Sequence, residues 1–189
     1  MFNEGFGAKS AAGDSKSQMF NEDKPMADKL TLKKISAESI SKALELADHY
    51  RLLNEPAQAE SICRDILAAD PGHVGAKKTL LLALSDQLIG GASPDVVRAA
   101  LELAKGLPDE YERVYYTGVV HEREGRAHVH GEGTFAYSKL RQAAELFEKA
   151  ERIRPVGNDA AILRYNACVR AIETHHLKPP VDAHDGFLE

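Results

Sequence analysis

Two separate stretches of this chain carry apolar and small residues at the same helical spacing. The first stretch contains, in order, Ala43, Leu46, Ala47, Tyr50, Ala59, Cys63 and Pro71. The second contains, in the corresponding order, Val114, Thr117, Gly118, His121, Ala143, Phe147 and Pro155. Steps of three and four residues place side chains on one side of a helix, and the residue before a proline is pushed out of helical geometry. Each stretch therefore predicts two helices joined by a turn.

This order resembles the tetratricopeptide repeat, a helix-turn-helix unit of about 34 residues. The resemblance implies an all-α fold, built as a right-handed solenoid of about three helix pairs, over roughly residues 36 to 175. The middle pair matches less well, because Lys77 stands where a large apolar residue is usual. A seventh helix, from about Asn158 to Thr174, has no following partner, so we expect it to cap the end of the solenoid.

The helical pattern has a boundary on each side. Residues 1–33 have almost no apolar periodicity, which predicts a disordered N-terminal tail. Within it Met1–Glu4 recurs as Met19–Glu22, which is either a short duplication, a docking peptide or the mark of an alternative start. Residues 34–176 are the predicted helical domain, and 177–189 are a predicted irregular C-terminal tail.

One segment interrupts the second repeat-like stretch. We expect the fifth helix to run from roughly Pro108 to Glu124 and to end at Gly125. The segment from Ala127 to about Phe135 is then an insertion relative to the repeat. Because connections of this length are often functional, we interpret the insertion as extending the start of the sixth helix or flanking a binding groove.

Bulk properties exclude some classes of function. The formal net charge of -5 argues against nucleic-acid binding, which favours a basic face. No run reaches the roughly 18 apolar residues of a membrane span, and the N-terminus lacks the order of a secretory signal, so we expect a cytoplasmic protein. Cys63 and Cys168 fall on apolar helical faces, where free cysteines behave as small hydrophobes, although a disulfide between them stays open.

The resemblance also implies a site. In this family the first helix of each pair lines a concave groove, which can hold a peptide or a helix. We place Ala43, Leu46, Ala47 and Tyr50 on the core side of the first helix. The candidate groove residues, chosen from the neighbouring stripe of each first helix, are Leu44, Asp48, Arg51, Lys78, Leu82, Tyr115, Val119, Glu122 and Arg164.

A carboxylate-binding branch of the family uses lysine and asparagine in the first repeat. Here Leu44 and Asp48 occupy those places, so we expect no binding of chaperone C-terminal tails. An aspartate would repel a peptide carboxylate. The groove residues therefore predict another kind of partner.

The function predicted from the resemblance is a protein–protein interaction adaptor or scaffold, with no enzyme activity and no cofactor. A homo-oligomer is also compatible with the sequence. One alternative is a chaperone-like protein that shields an apolar segment of a secreted or assembling partner. Another is a histidine-based metal-dependent module, since His121, His128 and His130 lie near Glu122 and Glu132 in sequence. No phosphate-binding loop, nucleophile elbow or His-Glu-x-x-His motif is present.

Overall fold

The computed structural model describes residues 30–91 and 93–180, and within these ranges the chain is all-helical, with seven α-helices and no β-strand. The helices are α1 (Ile40–Leu52), α2 (Pro56–Ala69), α3 (Val74–Gln87), α4 (Pro94–Lys105), α5 (Glu110–Ala127), α6 (Gly133–Arg152) and α7 (Ala160–Thr174). The predicted all-α class with about seven helices is confirmed. Both Met-Phe-Asn-Glu segments, and most of the two predicted tails, lie outside the described residues.

Local sequence explains where several helices begin. Pro56 occupies the first turn of α2, where its missing N–H removes no helical hydrogen bond. The amide of Glu112 donates to the Asp109 carboxylate at 2.8 Å, which caps the start of α5. Ser93 immediately precedes α4, but its hydroxyl makes no cap hydrogen bond.

Two helices end with a non-glycine residue in the left-handed conformation. Asn54 after α1 has φ of 59°, and His176 after α7 has φ of 49°. In both cases the following amide donates to the carbonyl five residues earlier, at 2.9 Å for α1 and 3.0 Å for α7. This is the Schellman arrangement, which usually has glycine at the left-handed position. A side chain there is strained, and more so for histidine than for asparagine.

Helices that follow one another in sequence pack together along the chain. In addition α1 contacts α3, α3 contacts α5, and α5 contacts α7, so the odd-numbered helices are also neighbours. All seven helices belong to one compact unit that begins at Lys34. One core cluster includes Ala47, Cys63, Leu81 and Leu84, and a second includes Val119, Leu140, Phe147 and Cys168.

Helices α5 and α6 cross closely at Gly118. A Cβ atom added at Gly118 would lie 2.8 Å from Cε1 of Phe147, which is fully buried. The absence of a side chain at Gly118 therefore allows α5 and α6 to cross closely here. Helices in contact at this distance need a residue without a side chain at the crossing point.

The predicted end of the fifth helix is wrong. Helix α5 continues through Gly125 to Ala127, and α6 begins at Gly133, so the connection comprises only residues 128–132. A Cβ atom at Gly125 would lie 2.9 Å from Cγ of Leu140 on α6. Gly125 is therefore a second close contact between helices. Of the predicted insertion, Ala127 lies in α5 and residues 133–135 begin α6, while residues 128–132 form the connection.

The core side predicted for the first helix is correct only in part. Ala47 is fully buried, and Ala43 and Tyr50 are half-buried, but Leu46 is 46% exposed.

Cys63 and Cys168 are buried free cysteines, and burial raises the pKa of both thiols to about 12. Both stay protonated near neutral pH and act as apolar core residues. Over the described ranges, no helix is both long and apolar enough to cross a membrane.

Candidate functional site

Polar side chains join the odd-numbered helices to one another, beginning with α1 and α3. Arg51 on α1 donates from Nε and Nη2 to Oδ2 of Asp86 on α3, at 3.0 and 2.9 Å. The hydroxyl of Thr79 donates to Oδ1 of Asp48 at 3.0 Å. The two contacts lie about two helical turns apart along α3, so they fix how α1 lies against α3.

The same row of contacts continues from α3 to α5. Lys78 Nζ donates to Oε1 of Glu112 at 2.8 Å, and this hydrogen bond raises the pKa of Lys78. Arg123 Nη2 lies 3.4 Å from Oδ1 of Asp86, so that one carboxylate contacts both α1 and α5. Asp86 is therefore the point at which three helices are held together.

Between α5 and α7 the contacts centre on a buried carboxylate, that of Glu122. Arg164 donates from Nη1 to Oε2 of Glu122 at 2.7 Å and from Nε to the Tyr115 hydroxyl at 3.1 Å. Arg126 donates to the other oxygen of Glu122 at 2.9 Å. The Glu122 side chain is only 4% exposed. Burial acts to lower the pKa of Arg164, but the Glu122 carboxylate outweighs it and raises that pKa. Charge pairing offsets the loss of water around these groups.

We call this whole row of contacts the polar ladder. Its members are Asp48, Arg51, Lys78, Thr79, Asp86, Glu112, Tyr115, Glu122, Arg123, Arg126 and Arg164. Six of the nine predicted groove residues belong to it. The structure therefore brings most of the predicted set together along one face, which we call the odd-helix face.

The remaining predicted groove residues have other surroundings. Val119 is fully buried in the second core cluster, so the expectation that it presents surface to a partner is wrong. The ladder member Glu122 is buried as well, where it pairs with two arginines, so the expectation that it presents surface to a partner is also wrong. Leu44 packs over the start of α3, with its Cδ2 atom 3.0 Å from the position of a Cβ atom on Gly75. Leu82 is half-buried against both core clusters.

Sequence reasoning missed several members of the ladder, although a signal for them exists. Arg51 and Asp86 are 35 residues apart, and Lys78 and Glu112 are 34 apart. These separations are close to one repeat of about 34 residues. Opposite charges separated by 34 or 35 residues on neighbouring odd-numbered helices are therefore a sequence signal for these pairs.

Apolar and aromatic side chains lie between the charged groups of the odd-helix face. Leu82 and Tyr116 are half-buried and pack against both core clusters, and Tyr115 packs against the second. The rings of Tyr115 and Tyr116 meet edge to face, with centroids 5.2 Å apart. We call these three residues the aromatic patch. Tyrosine and arginine are enriched at protein interfaces, so this surface suits a protein partner.

Four surface cavities occur in the described ranges, and none of them is lined by any of the nine predicted groove residues. One cavity, of about 310 Å³, lies between the turn after α3, the end of α5 and the start of α6. We call it the turn cavity. Its lining consists of Leu88, Gly91, Pro94, Val97, Glu124, Ala127, His128 and Phe135.

Glu124 is the acidic residue that lines the turn cavity. Lys139 Nζ lies 2.9 Å from its Oε2 atom, and His121 Nδ1 lies 3.4 Å from the same oxygen. Burial acts to raise the pKa of Glu124, but the hydrogen bonds from His121 and Lys139 outweigh it and lower that pKa. Glu124 is therefore ionised near neutral pH.

A histidine and a phenylalanine also line this cavity. His128 Nδ1 lies 2.8 Å from the Glu124 carbonyl oxygen, so that nitrogen carries the proton and donates it. The His128 ring meets Phe135 edge to face, with centroids 4.8 Å apart. Lys139 Nζ lies 5.2 Å from the centroid of the Phe135 ring. The contacts fix the positions of both rings.

The histidines considered for a metal site do not converge. His121 contacts Glu124, His128 contacts the backbone of its own helix, and His130 faces His175 with ring centroids 5.1 Å apart. In the part of the chain that the structure describes, no group of three or more His, Cys, Asp or Glu could hold a metal ion.

No protein-family model matches this chain, and neither the curated proteins nor the solved structures contain a match to it. Its functional interpretation rests on the odd-helix face and the turn cavity.

Proposed function

We propose that this chain is a tetratricopeptide-like solenoid of about three helix pairs, capped by α7, that acts as a protein–protein interaction adaptor. The motif order in the two stretches supports the repeat assignment, as does the spacing of the ladder charges. The mutual contacts of α1, α3, α5 and α7 support it further, because first helices of successive repeats lie side by side in such a solenoid. The adaptor role needs no catalytic group and no cofactor.

The single observation that carries this proposal is the odd-helix face itself. Its charged groups are paired with one another, and the aromatic patch lies among them. A surface whose side chains are already held in place loses less conformational entropy when it binds. We infer that a segment of the partner, a peptide or a helix, lies across α1, α3 and α5. Shielding of an apolar segment in a chaperone-like role would use the same patch.

Affinity capture from lysate with mass spectrometry tests the proposal. The intact chain is compared with Leu82→Glu, which places a charge in the aromatic patch. The matched control is Leu146→Glu on α6, since Leu146 is also a half-buried leucine but lies on an even-numbered helix. We expect Leu82→Glu to lose a partner that the intact chain and Leu146→Glu retain.

A second variant addresses the risk that Leu82→Glu unfolds the chain. Exchanging Lys78→Glu with Glu112→Lys keeps an ion pair between α3 and α5 but reverses the local charges. Circular dichroism and thermal unfolding establish that each variant is folded. If folded forms of both odd-helix variants retain the same proteins as the intact chain, the odd-helix face is not the binding surface.

A further inference from the structure

Two departures from the repeat pattern meet in space at the turn cavity. The first is the long turn between α3 and α4, where residues 88–90 form a 3₁₀ turn and Gly91 adopts a φ of 84°. The second is the extension of α5 and α6 beyond the length of α1 and α2. The 3₁₀ turn contacts α5, and the cavity lies between these segments. Neither irregularity alone would enclose a space.

The size of the cavity limits what it can hold. Its volume of about 310 Å³ lies at the lower end of the range of about 300–1,000 Å³ that is usual for ligand sites. A single ring system fits this volume, and a nucleotide does not. The walls are mostly apolar, with contributions from Leu88, Val97 and Phe135.

The polar groups of the cavity accept hydrogen bonds. Glu124 is an ionised carboxylate, and an ionised carboxylate only accepts. His128 uses Nδ1 as a donor to its own helix, which leaves Nε2 as the acceptor of the neutral ring. An occupant with an N–H or O–H donor would add a hydrogen bond to these acceptors, whereas a hydrocarbon would cover them without adding one. A cation is less suitable, because Lys139 already pairs with Glu124 and lies over Phe135.

We propose that the turn cavity receives one aromatic side chain with a ring N–H donor, a tryptophan of the partner protein. This inference rests on the proposed adaptor function and adds a second, more selective contact to it. A large aromatic residue in an enclosed pocket is the usual form of a strong interface contact. The apolar walls contact the ring, and the cavity acceptors receive its N–H group.

Indole titration tests the chemistry of the site without knowledge of the partner. The chain contains no tryptophan, so the fluorescence of N-acetyl-tryptophanamide or 3-methylindole reports binding without background from protein tryptophan. We expect saturable binding with half-saturation at about 1 mM or below. We expect 1,3-dimethylindole, which lacks the N–H donor, to bind about tenfold more weakly.

Two filled-cavity variants locate the site. Ala127→Leu fills the cavity from α5, and Val97→Phe fills it from α4. The matched control is Ala167→Leu on α7, since Ala167 is also half-buried in a helix but does not line this cavity. We expect both filled variants, if folded by circular dichroism, to lose 3-methylindole binding and the control to keep it.

The inference is overturned if 3-methylindole shows no saturable binding, if 1,3-dimethylindole binds equally well, or if the folded filled variants bind as the intact chain does. Each of these results leaves the odd-helix experiment unaffected, since Leu82→Glu lies outside this cavity. Failure of the adaptor proposal instead shows as unchanged protein capture by the odd-helix variants. The two failures are therefore distinguishable.

Discussion

Replacement of Gly125 by alanine tests the packing of α5 against α6. An added Cβ atom would lie 2.9 Å from Cγ of Leu140, 3.1 Å from the Leu140 backbone nitrogen and 3.2 Å from the Ala136 carbonyl oxygen. Real Cβ contacts are rarely this short, and two of the three obstacles are backbone atoms. A rotamer change of Leu140 therefore cannot relieve the clash, and α6 itself must move.

The expected change in the free energy of unfolding for Gly125→Ala follows from two opposing effects. Glycine to alanine inside a helix gains about 1 kcal/mol of helix propensity. Overpacking a well-packed core costs about 1–3 kcal/mol, and backbone obstacles favour the upper part of that range. We expect Gly125→Ala to lower the free energy of unfolding by about 1–2 kcal/mol. At about 2–4 °C per kcal/mol for a domain of this size, Tm would fall by roughly 2–8 °C.

Chemical denaturation followed by circular dichroism gives the required measurement. Gly133→Ala is the matched control, because the nearest atom to its added Cβ, Cδ2 of Leu177, is 3.7 Å away, an ordinary contact. We expect that control to leave stability unchanged or slightly higher. If Gly125→Ala is as stable as the wild type, or more stable, the close contact between α5 and α6 at this point is refuted.

Gly118 provides a contrasting case in which the obstacle is a side chain. The three atoms nearest to an added Cβ all belong to the Phe147 ring, the closest at 2.8 Å. We expect Gly118→Ala to destabilise the chain and Phe147→Leu to destabilise it separately. Because the smaller side chain makes room for the new methyl group, the double variant should lose about 1 kcal/mol less than the two single losses added together. Additive losses would contradict this reading.

Three further outcomes are expected. His176→Gly should raise stability by about 1 kcal/mol in thermal unfolding, because it relieves a left-handed histidine, and Asn54→Gly should gain less; no gain for His176→Gly would contradict the strain. Arg164→Met should lower the free energy of unfolding, measured by chemical denaturation, by about 2–3 kcal/mol, because it removes a partner of the buried Glu122 carboxylate. Adding Glu122→Gln should recover part of that loss. If it recovers none, the loss has another cause. The pKa of Glu124 is lowered in the folded chain, so the ionised carboxylate stabilises the fold above the ordinary carboxyl pKa, and this stabilisation is lost as pH falls through the folded-state pKa. The wild type should therefore lose more stability than Glu124→Gln between about pH 6 and pH 3. Parallel pH profiles of the two proteins would exclude this contribution.

Periodicity was sufficient to place the helices but not their lengths. The steps of three and four residues located all seven helices, because one-sided burial imposes that spacing. The end of the fifth helix was predicted wrongly at Gly125, because the sequence alone does not distinguish a glycine that ends a helix from a glycine that permits a close contact between helices. Only the position of Leu140 on the opposing helix distinguishes the two cases.

The predicted groove residues show a similar limit. A stripe along one helix does not reveal how many neighbours cover it. Helix α5 packs against α3, α6 and α7, so Val119 is enclosed, while Lys78 on α3 stays partly accessible. The turn cavity could not be predicted, because it depends on segments near residues 88–97 and 124–135 meeting in space.

Hydrogen–deuterium exchange of the purified chain, alone and with the partner identified by capture, tests the central claim most directly. The proposal predicts that the partner slows exchange in α1, α3 and α5, where the odd-helix face lies. It predicts unchanged exchange rates in the parts of α2 and α4 that lie away from that face. Protection confined to α2 and α4, with none in the odd-numbered helices, would contradict binding at the odd-helix face.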